Sequence, residues 1–250
     1  MSEIIAIVNQ KGGTGKTTTS VNLSAALAGL GKRVLAVDFD PQGNLSYAFG
    51  IEEFDLTMSD VLRDDVPLSE VIIEREGLSI VPSDISLADV EVSLINEIGR
   101  EFFLRDVLEP LDQYDFIIID CPPSLSLLAV NAMVASECAI VPMQLEVLSL
   151  QGLHQIKRTI ERINKSYGKE LYIKGILPVM VDTRRNLDKE VEEFISENYD
   201  IPIFNTHVRK NVRASEAPSF GKSVISYSQK STSALDYVAF AKELLKGNTK

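Results

Sequence analysis

The feature that most constrains this chain is the run Gln10-Lys11-Gly12-Gly13-Thr14-Gly15-Lys16-Thr17-Thr18. It follows the apolar stretch 4–9 and opens a helical pattern that stops near Leu30-Gly31. Strand, glycine loop and helix in that order make a cradle for a polyphosphate. Glycines let backbone N–H groups turn inward, and the helix N-terminus adds partial positive charge at the same place. In such a cradle Gly12, Gly13, Thr14 and Gly15 line the phosphates. Lys16 reaches the β- and γ-phosphates of ATP, the Thr17 hydroxyl ligates Mg2+, and Thr18 meets the α-phosphate region. The common form of the motif has a glycine where this chain has Gln10, and here Lys11 precedes two glycines. Lys16 already neutralises the phosphates from within. Lys11 can therefore cross to the nucleotide of a facing subunit, as an arginine finger does, which ties ATP occupancy to a homodimer.

Two more segments carry carboxylates to strand ends. The sequence VLAVDFDPQGN, residues 34–44, ends in Asp38 and Asp40 before a turn through Pro41, Gly43 and Asn44. Strand C-terminal ends are where open α/β sheets bind ligands. Asp40 is assigned to orienting the attacking water, and Asp38, nearer the strand, to acting through Mg2+-bound water. The sequence FIIIDCPPS, residues 116–124, places Asp120 at a strand tip within reach of Mg2+. Pro122 and Pro123 stiffen the exit, as expected of a loop that senses the γ-phosphate.

Along the chain, Ile- and Val-rich runs alternate with helical segments. Strands are expected at 4–9, 33–38, 78–82, 116–120, 138–143, 173–181 and 201–204. Helices are expected near 16–29, 86–98, 102–110, 124–136, 148–167, 186–198 and 232–246. Near-continuous apolar strands are buried on both faces, and the alternation implies a mostly parallel sheet with right-handed crossovers. With no Pro/Gly/Ser-rich linker or repeat, residues 1–250 read as one α/β domain, frayed at 247–250. No apolar run approaches the ~20 residues of a membrane span, and residues 1–10 lack a basic leader. Cys121 and Cys138 fit neither a metal-ligand nor a disulfide pattern, which suits a reducing cytosol. The last helical pattern carries Leu235, Val238, Ala239, Leu244 and Leu245 as a stripe, expected to pack on the core.

The loop KGGTGKTTTSVNL, then VLAVDFDPQGN, then IIIDCPPS, in this order and spacing, resembles the ParA/Soj branch of the ParA–MinD ATPases, whose loop is the deviant Walker A form. The C-terminal stretch VRKNVRASEAPSFGKSVISY, residues 208–227, resembles the family's late nucleotide and DNA-contact region. The resemblance implies a doubly wound, mostly parallel β-sheet flanked by helices, a P-loop NTPase fold. It also implies a nucleotide-sandwich homodimer, sequence-nonspecific binding of double-stranded DNA in the ATP state, and a ParB-type partner that stimulates slow hydrolysis. Residue by residue, Lys11 matches the signature lysine, Gly12 the position beside the dimer face, Lys16 and Thr17 the loop pair, Asp40 the water-positioning aspartate and Asp120 the metal-side acid. Arg209 and Asn211 fall in the late nucleotide-contact stretch, with Arg209 where many chromosomal relatives have a proline. Arg184 and Arg213 align with arginines that contact DNA.

A net charge of −11 argues against nucleic-acid binding by the body of the chain, but residues 205–230 hold five basic side chains against one acid, Glu216. Duplex contacts are expected from Arg184, Arg185, Arg209, Lys210, Arg213 and Lys222, doubled when two subunits join. A cytoplasmic, nucleoid-associated protein follows from these expectations. Three competing readings share the fold. A MinD-like membrane-cycling ATPase wants a basic amphipathic tail, which is missing. Metal carriage wants a symmetric cysteine pair, also missing. A nucleoid scaffold for other cargo is not separable from DNA partition by sequence.

Overall fold

The computed structural model describes residues 2–182 and 186–247, and among these an eight-stranded sheet organises the chain. Its strands are β1 (Glu3–Ile7), β2 (Val34–Asp38), β3 (Ile73–Arg75), β4 (Leu78–Val81), β5 (Phe116–Asp120), β6 (Cys138–Met143), β7 (Tyr172–Val181) and β8 (Val208–Arg209). The spatial order is β3-β4-β2-β5-β1-β6-β7-β8. Every neighbouring pair is parallel except β3 with β4. The helices are α1 (Lys16–Gly29), α2 (Asn44–Ala48), α3 (Met58–Asp64), α4 (Leu68–Val71), α5 (Ser86–Leu94), α6 (Phe103–Leu108), α7 (Leu127–Ala135), α8 (Val147–Tyr167), α9 (Asn186–Asn198), α10 (Val212–Glu216), α11 (Val224–Tyr227) and α12 (Thr232–Lys246). A 3-10 turn spans Ala217–Phe220.

Side chains alternate along a strand, so a sheet with helices on both faces builds two cores. Ile4, Ala6, Ile117 and Ile119 face one core, which Leu87, Val90, Leu128 and Ile156 complete from α5, α7 and α8. Ile5, Ile7, Ile118 and Ile140 face the other, against Leu23 and Leu27 of α1 and Tyr237, Phe240 and Ala241 of α12. All five residues of β5 are buried. At about 1.5–3 kcal/mol per buried large aliphatic side chain, this strand holds Asp120 at its tip firmly. The chain leaves β1 toward β2 on one side, and β6 lies on the other. The crevice beyond the C-terminal end of β1 is thus where an open sheet offers room for a ligand.

The doubly wound sheet agrees with expectation, and several elements differ in detail. Residues 201–204 form only a single bridge, Ile203 with Ile176, rather than a strand. Pro202 has no N–H to give the ladder, and strand pairing resumes at β8. The short antiparallel β3 and the small helices α2, α3 and α4 were not expected. Elements of three to seven residues are too short for a periodicity to register. The stripe proposed for the last helix is misplaced. Leu235, Ala239 and Leu245 are exposed, Val238 is half-buried and only Leu244 is buried, while Ala234, Tyr237, Phe240 and Ala241 turn to the core. The helix nevertheless packs on the core, and its apolar face is covered. No helix among the described residues is long and apolar enough to cross a membrane.

Candidate active site

The glycine loop sits at the crevice. Asn9 is buried just past β1, where its amide donates to the Pro142 carbonyl at 2.7 Å and its Oδ1 accepts from the Lys11 N–H at 3.0 Å. Gly13 and Gly15 adopt φ of 73° and 78°, the left-handed region that only glycine enters without strain. Gly12 and Gly13 are exposed, and a Cβ at either would meet nothing within 4 Å. The Thr14 hydroxyl and the Lys16 ammonium both reach back to the Lys11 carbonyl, at 3.1 and 3.5 Å, and Lys16 is 6% exposed. Burial lowers the Lys16 pKa from its ordinary value, opposed first by the charge of Asp120. A buried ammonium bonded only to a carbonyl is poised for anionic oxygens.

Three carboxylates face this lysine's side of the crevice. Asp120 is fully buried. Its Oδ1 accepts from the Ser20 hydroxyl at 2.8 Å, and its Oδ2 has no hydrogen-bond partner among the described residues. Burial pushes its pKa up to about 6, although the nearby Thr17 and Ser20 hydroxyls favour the ionised form. Asp38 stands beside it in register on β2. Its Oδ2 accepts from both the N–H and the hydroxyl of Ser46, at 2.8 and 2.7 Å. Burial and then the charge of Asp120 raise the Asp38 pKa to about 8. Two adjacent buried carboxyls resist double ionisation, and a divalent cation would relieve that repulsion. The orphaned Asp120 Oδ2, with the Thr17 hydroxyl beside it, fits Mg2+, a hard cation that takes one or two protein oxygens and leaves the rest to phosphates and water. Asp38, by contrast, spends its Oδ2 on Ser46 and its Oδ1 on the Asp40 N–H at 3.4 Å. Asp40 is buried, and its Oδ1 accepts from the Gln42 N–H at 3.0 Å in the tight turn that Gly43 closes.

Lys11 lies on the outer lip of the loop, half exposed, 3.6 Å from Glu146 at the start of α8. Beyond Gly15, a cavity of about 310 Å3 is lined by Thr18, Met180, Arg209, Asn211 and Tyr237 among others. Asn211 is fixed within it. Its Oδ1 caps α10 through the Arg213 N–H at 2.8 Å, and its amide donates to the Thr232 hydroxyl at 2.6 Å.

The basic segment divides. Arg209 donates to both oxygens of Asp236 on α12, at 3.0 and 2.6 Å, so its guanidinium serves an internal pair. Arg213 pairs with Glu216 at 2.8 Å on the surface. Lys210 and Lys222 are exposed. Arg184 and Arg185 lie outside the described residues. Sequence reasoning missed Ser20, Ser46, Glu146 and Asp236. Ser20 could have been found, since it lies one helical turn after Lys16 and so faces the same strand tips. Ser46 carries no such signal, because its partner is fixed by the course of a turn.

A strand tip, a glycine loop with an inward lysine, a helix N-terminus and a buried acid on the next strand define a phosphate-binding-loop nucleoside triphosphatase. A family model described as an AAA domain matches residues 2–173. The chain is 46% identical over 249 residues to the sporulation initiation inhibitor protein Soj of Bacillus subtilis (strain 168), covering 98% of each. It is 43% identical over 254 residues to the chromosome partitioning protein ParA of Myxococcus xanthus (strain DK1622), covering all of this chain and 90% of the relative. Among solved structures, a Mycobacterium smegmatis protein described as cobyrinic acid a,c-diamide synthase, with bound ADP and magnesium, superposes with a TM-score of 0.87. It is 34% identical, and the match covers 98% of this chain and 95% of that one. The chain belongs to the Soj/ParA family of partition ATPases.

Proposed function

We propose that this protein is a Mg2+-dependent ATPase that dimerises on ATP, binds duplex DNA nonspecifically in that state, and partitions a plasmid or chromosome with a ParB-type DNA-bound partner. The carrying observation is the division of labour between two lysines of one loop. Lys16 is buried and turned inward, while Lys11 is half exposed on the outer lip.

The inward N–H groups of residues 12–18 hold the phosphate chain, and Lys16 neutralises its β- and γ-oxygens. The cavity beyond Gly15, with Thr18 and Asn211 on its wall and Arg209 beside them, receives the base and ribose. Thr17 and Asp120 would hold Mg2+, with Asp38 behind them, and the ion would supply charge neutralisation to the phosphates. Asp40 orients the attacking water, and as a buried carboxylate in a rigid turn it is pre-aimed for that work. Lys11 leaves Glu146 and crosses to the partner's nucleotide, where a second cation stabilises the developing charge. Lys210, Arg213 and Lys222, with Arg184 and Arg185, supply phosphate contacts. Each contact adds roughly −0.9 to the slope of log K against log salt, and one weak face doubles to a useful one in the dimer. Hydrolysis separates the subunits and releases the duplex.

The test is sizing and filter binding of the wild type, Lys11→Ala and Asp40→Ala with ADP and with ATP. Asp40→Ala should stay a duplex-binding dimer with ATP and hydrolyse none. Lys11→Ala should stay monomeric. A monomeric Asp40→Ala protein in saturating ATP overturns the reading.

A further inference from the structure

Two glycines far apart in sequence touch backbone to backbone between the carboxylate turn and the basic segment. Gly50 lies two residues past α2, and Gly221 closes the 3-10 turn after α10; their φ values are 69° and 61°. A Cβ on Gly221 would lie 2.7 Å from the Gly50 Cα, and a Cβ on Gly50 would lie 3.2 Å from the Gly221 Cα. No side chain can fit between these backbones. One turn earlier on α2, Ser46 grips Asp38 with its N–H and hydroxyl, and the Ser46 Oγ accepts from the Ser83 N–H at 3.1 Å. The helix α2 is therefore a short strut with Asp38 at one end and Gly221 at the other.

The rest of this boundary is loosely filled. A cavity of about 220 Å3 separates α1 and α2 from the basic segment, lined by Thr17, Asn44, Tyr47, Ala214, Pro218 and Lys222 among others. Past Gly221 the chain is tied down. The N–H and hydroxyl of Ser223 both donate to Glu76, and the Val224 N–H donates to Asn22 at 2.7 Å. Load applied to Arg213 or Lys222 thus reaches the carboxylate turn through the glycine contact. A backbone contact transmits it without the slack of a side-chain rotamer.

We propose that Gly50 and Gly221 are positioning residues, whose contact lets duplex DNA on the basic segment set the placement of the Asp38–Asp40 turn and so the rate of ATP hydrolysis. This rests on the reading that Lys210, Arg213 and Lys222 take duplex DNA. DNA then acts on kcat rather than on the ATP KM, because the strut ends on the Asp38–Asp40 turn and not on the glycine loop.

The experiment measures ATP turnover with and without a short random-sequence duplex, together with duplex affinity. The proteins are the wild type, Gly221→Ala, Gly50→Ala and Gly168→Ala. Gly168 is the control, since its φ is 63° and a Cβ there meets nothing within 4 Å. It carries the same backbone strain without the contact. The expected wild-type response is a change in kcat of about fivefold or more, the lower end of ordinary coupling. In Gly221→Ala the response should collapse, with basal turnover, ATP KM and duplex affinity kept and a melting temperature below that of Gly168→Ala, since its Cβ also meets the Gly50 Cα at 2.7 Å. The milder Gly50→Ala should lose part of the response, and it decides the matter if Gly221→Ala does not fold. A full response in the variant that decides overturns the joint. So does a wild type that binds duplex with unchanged kcat, which leaves the DNA reading standing. A wild type that binds no duplex in ATP overturns both.

Discussion

Replacing Arg209 distinguishes a structural clamp from a ligand contact. Its guanidinium meets both oxygens of Asp236, and the Arg209 backbone N–H donates to the same carboxylate at 3.0 Å. Asp236 is 8% exposed, whereas the Arg209 side chain is 44% exposed. A charge-assisted hydrogen bond contributes about 1.5–3 kcal/mol when well buried. Water at the open side of the guanidinium cuts the two bonds here to about 2 kcal/mol in total. Arg209→Ala also strands a nearly buried carboxylate with one backbone donor. The expected loss is about 2 kcal/mol, or roughly 4–8 °C in a chain of this size. Arg209→Lys keeps the charge but not the fork, and should lose about half as much. In a double-mutant cycle with Asp236→Asn, the combined loss should fall short of the sum by about 1 kcal/mol or more. The assay is urea unfolding of the nucleotide-free protein, paired with ATP KM and duplex affinity. An unchanged unfolding midpoint, with ATP or duplex affinity down tenfold, would refute the clamp and return Arg209 to the ligand sites.

Three further outcomes follow from particular contacts. Glu216 holds Arg213 on the surface. Glu216→Gln should therefore tighten duplex binding severalfold in ATP and steepen its salt dependence, read by filter binding across a salt series; an unchanged slope excludes Arg213 as a phosphate contact. Gly43 has a φ of 60°, and a Cβ there would lie 2.7 Å from the Ser83 carbonyl oxygen. Gly43→Ala should cost about 1–3 kcal/mol of stability and slow single-turnover hydrolysis while ATP still binds. Hydrolysis at the wild-type rate would detach this turn from the chemistry. Burial pushes the Cys121 thiol far up and the Cys138 thiol up to about 12. Neither should react with iodoacetamide in the native state at neutral pH, and rapid labelling of the folded protein would contradict their burial.

The strands that carry chemistry were legible because they are long, apolar and buried on both faces. The run FIIID occupies 116–120 as expected, and α1 begins at Lys16 as the glycine loop requires. The cradle was legible for the same reason, since glycine spacing reports backbone geometry directly. What escaped depends on contacts between distant residues. Ser46 holds Asp38 across a turn, Glu146 meets Lys11 from another helix, and Asp236 meets Arg209 from 27 residues away. No local pattern encodes such pairs. The last helix shows a further limit. Tyr237 and Asp236 are buried because each finds a polar partner, Thr19 and Arg209, so a hydropathy stripe misplaces the inward face.

The sheet ends on both sides in very short strands. One rim is β3, three residues with Glu74 and Arg75 pointing outward, and the other is β8, two residues long. Unpaired rims of that size cannot recruit another chain into a continuous ribbon, and charge along one of them discourages the attempt. Edge-to-edge growth of the sheet from one copy to the next is thereby disfavoured. The proposed pairing face at the glycine loop and these guarded rims lie on different sides of the same sheet.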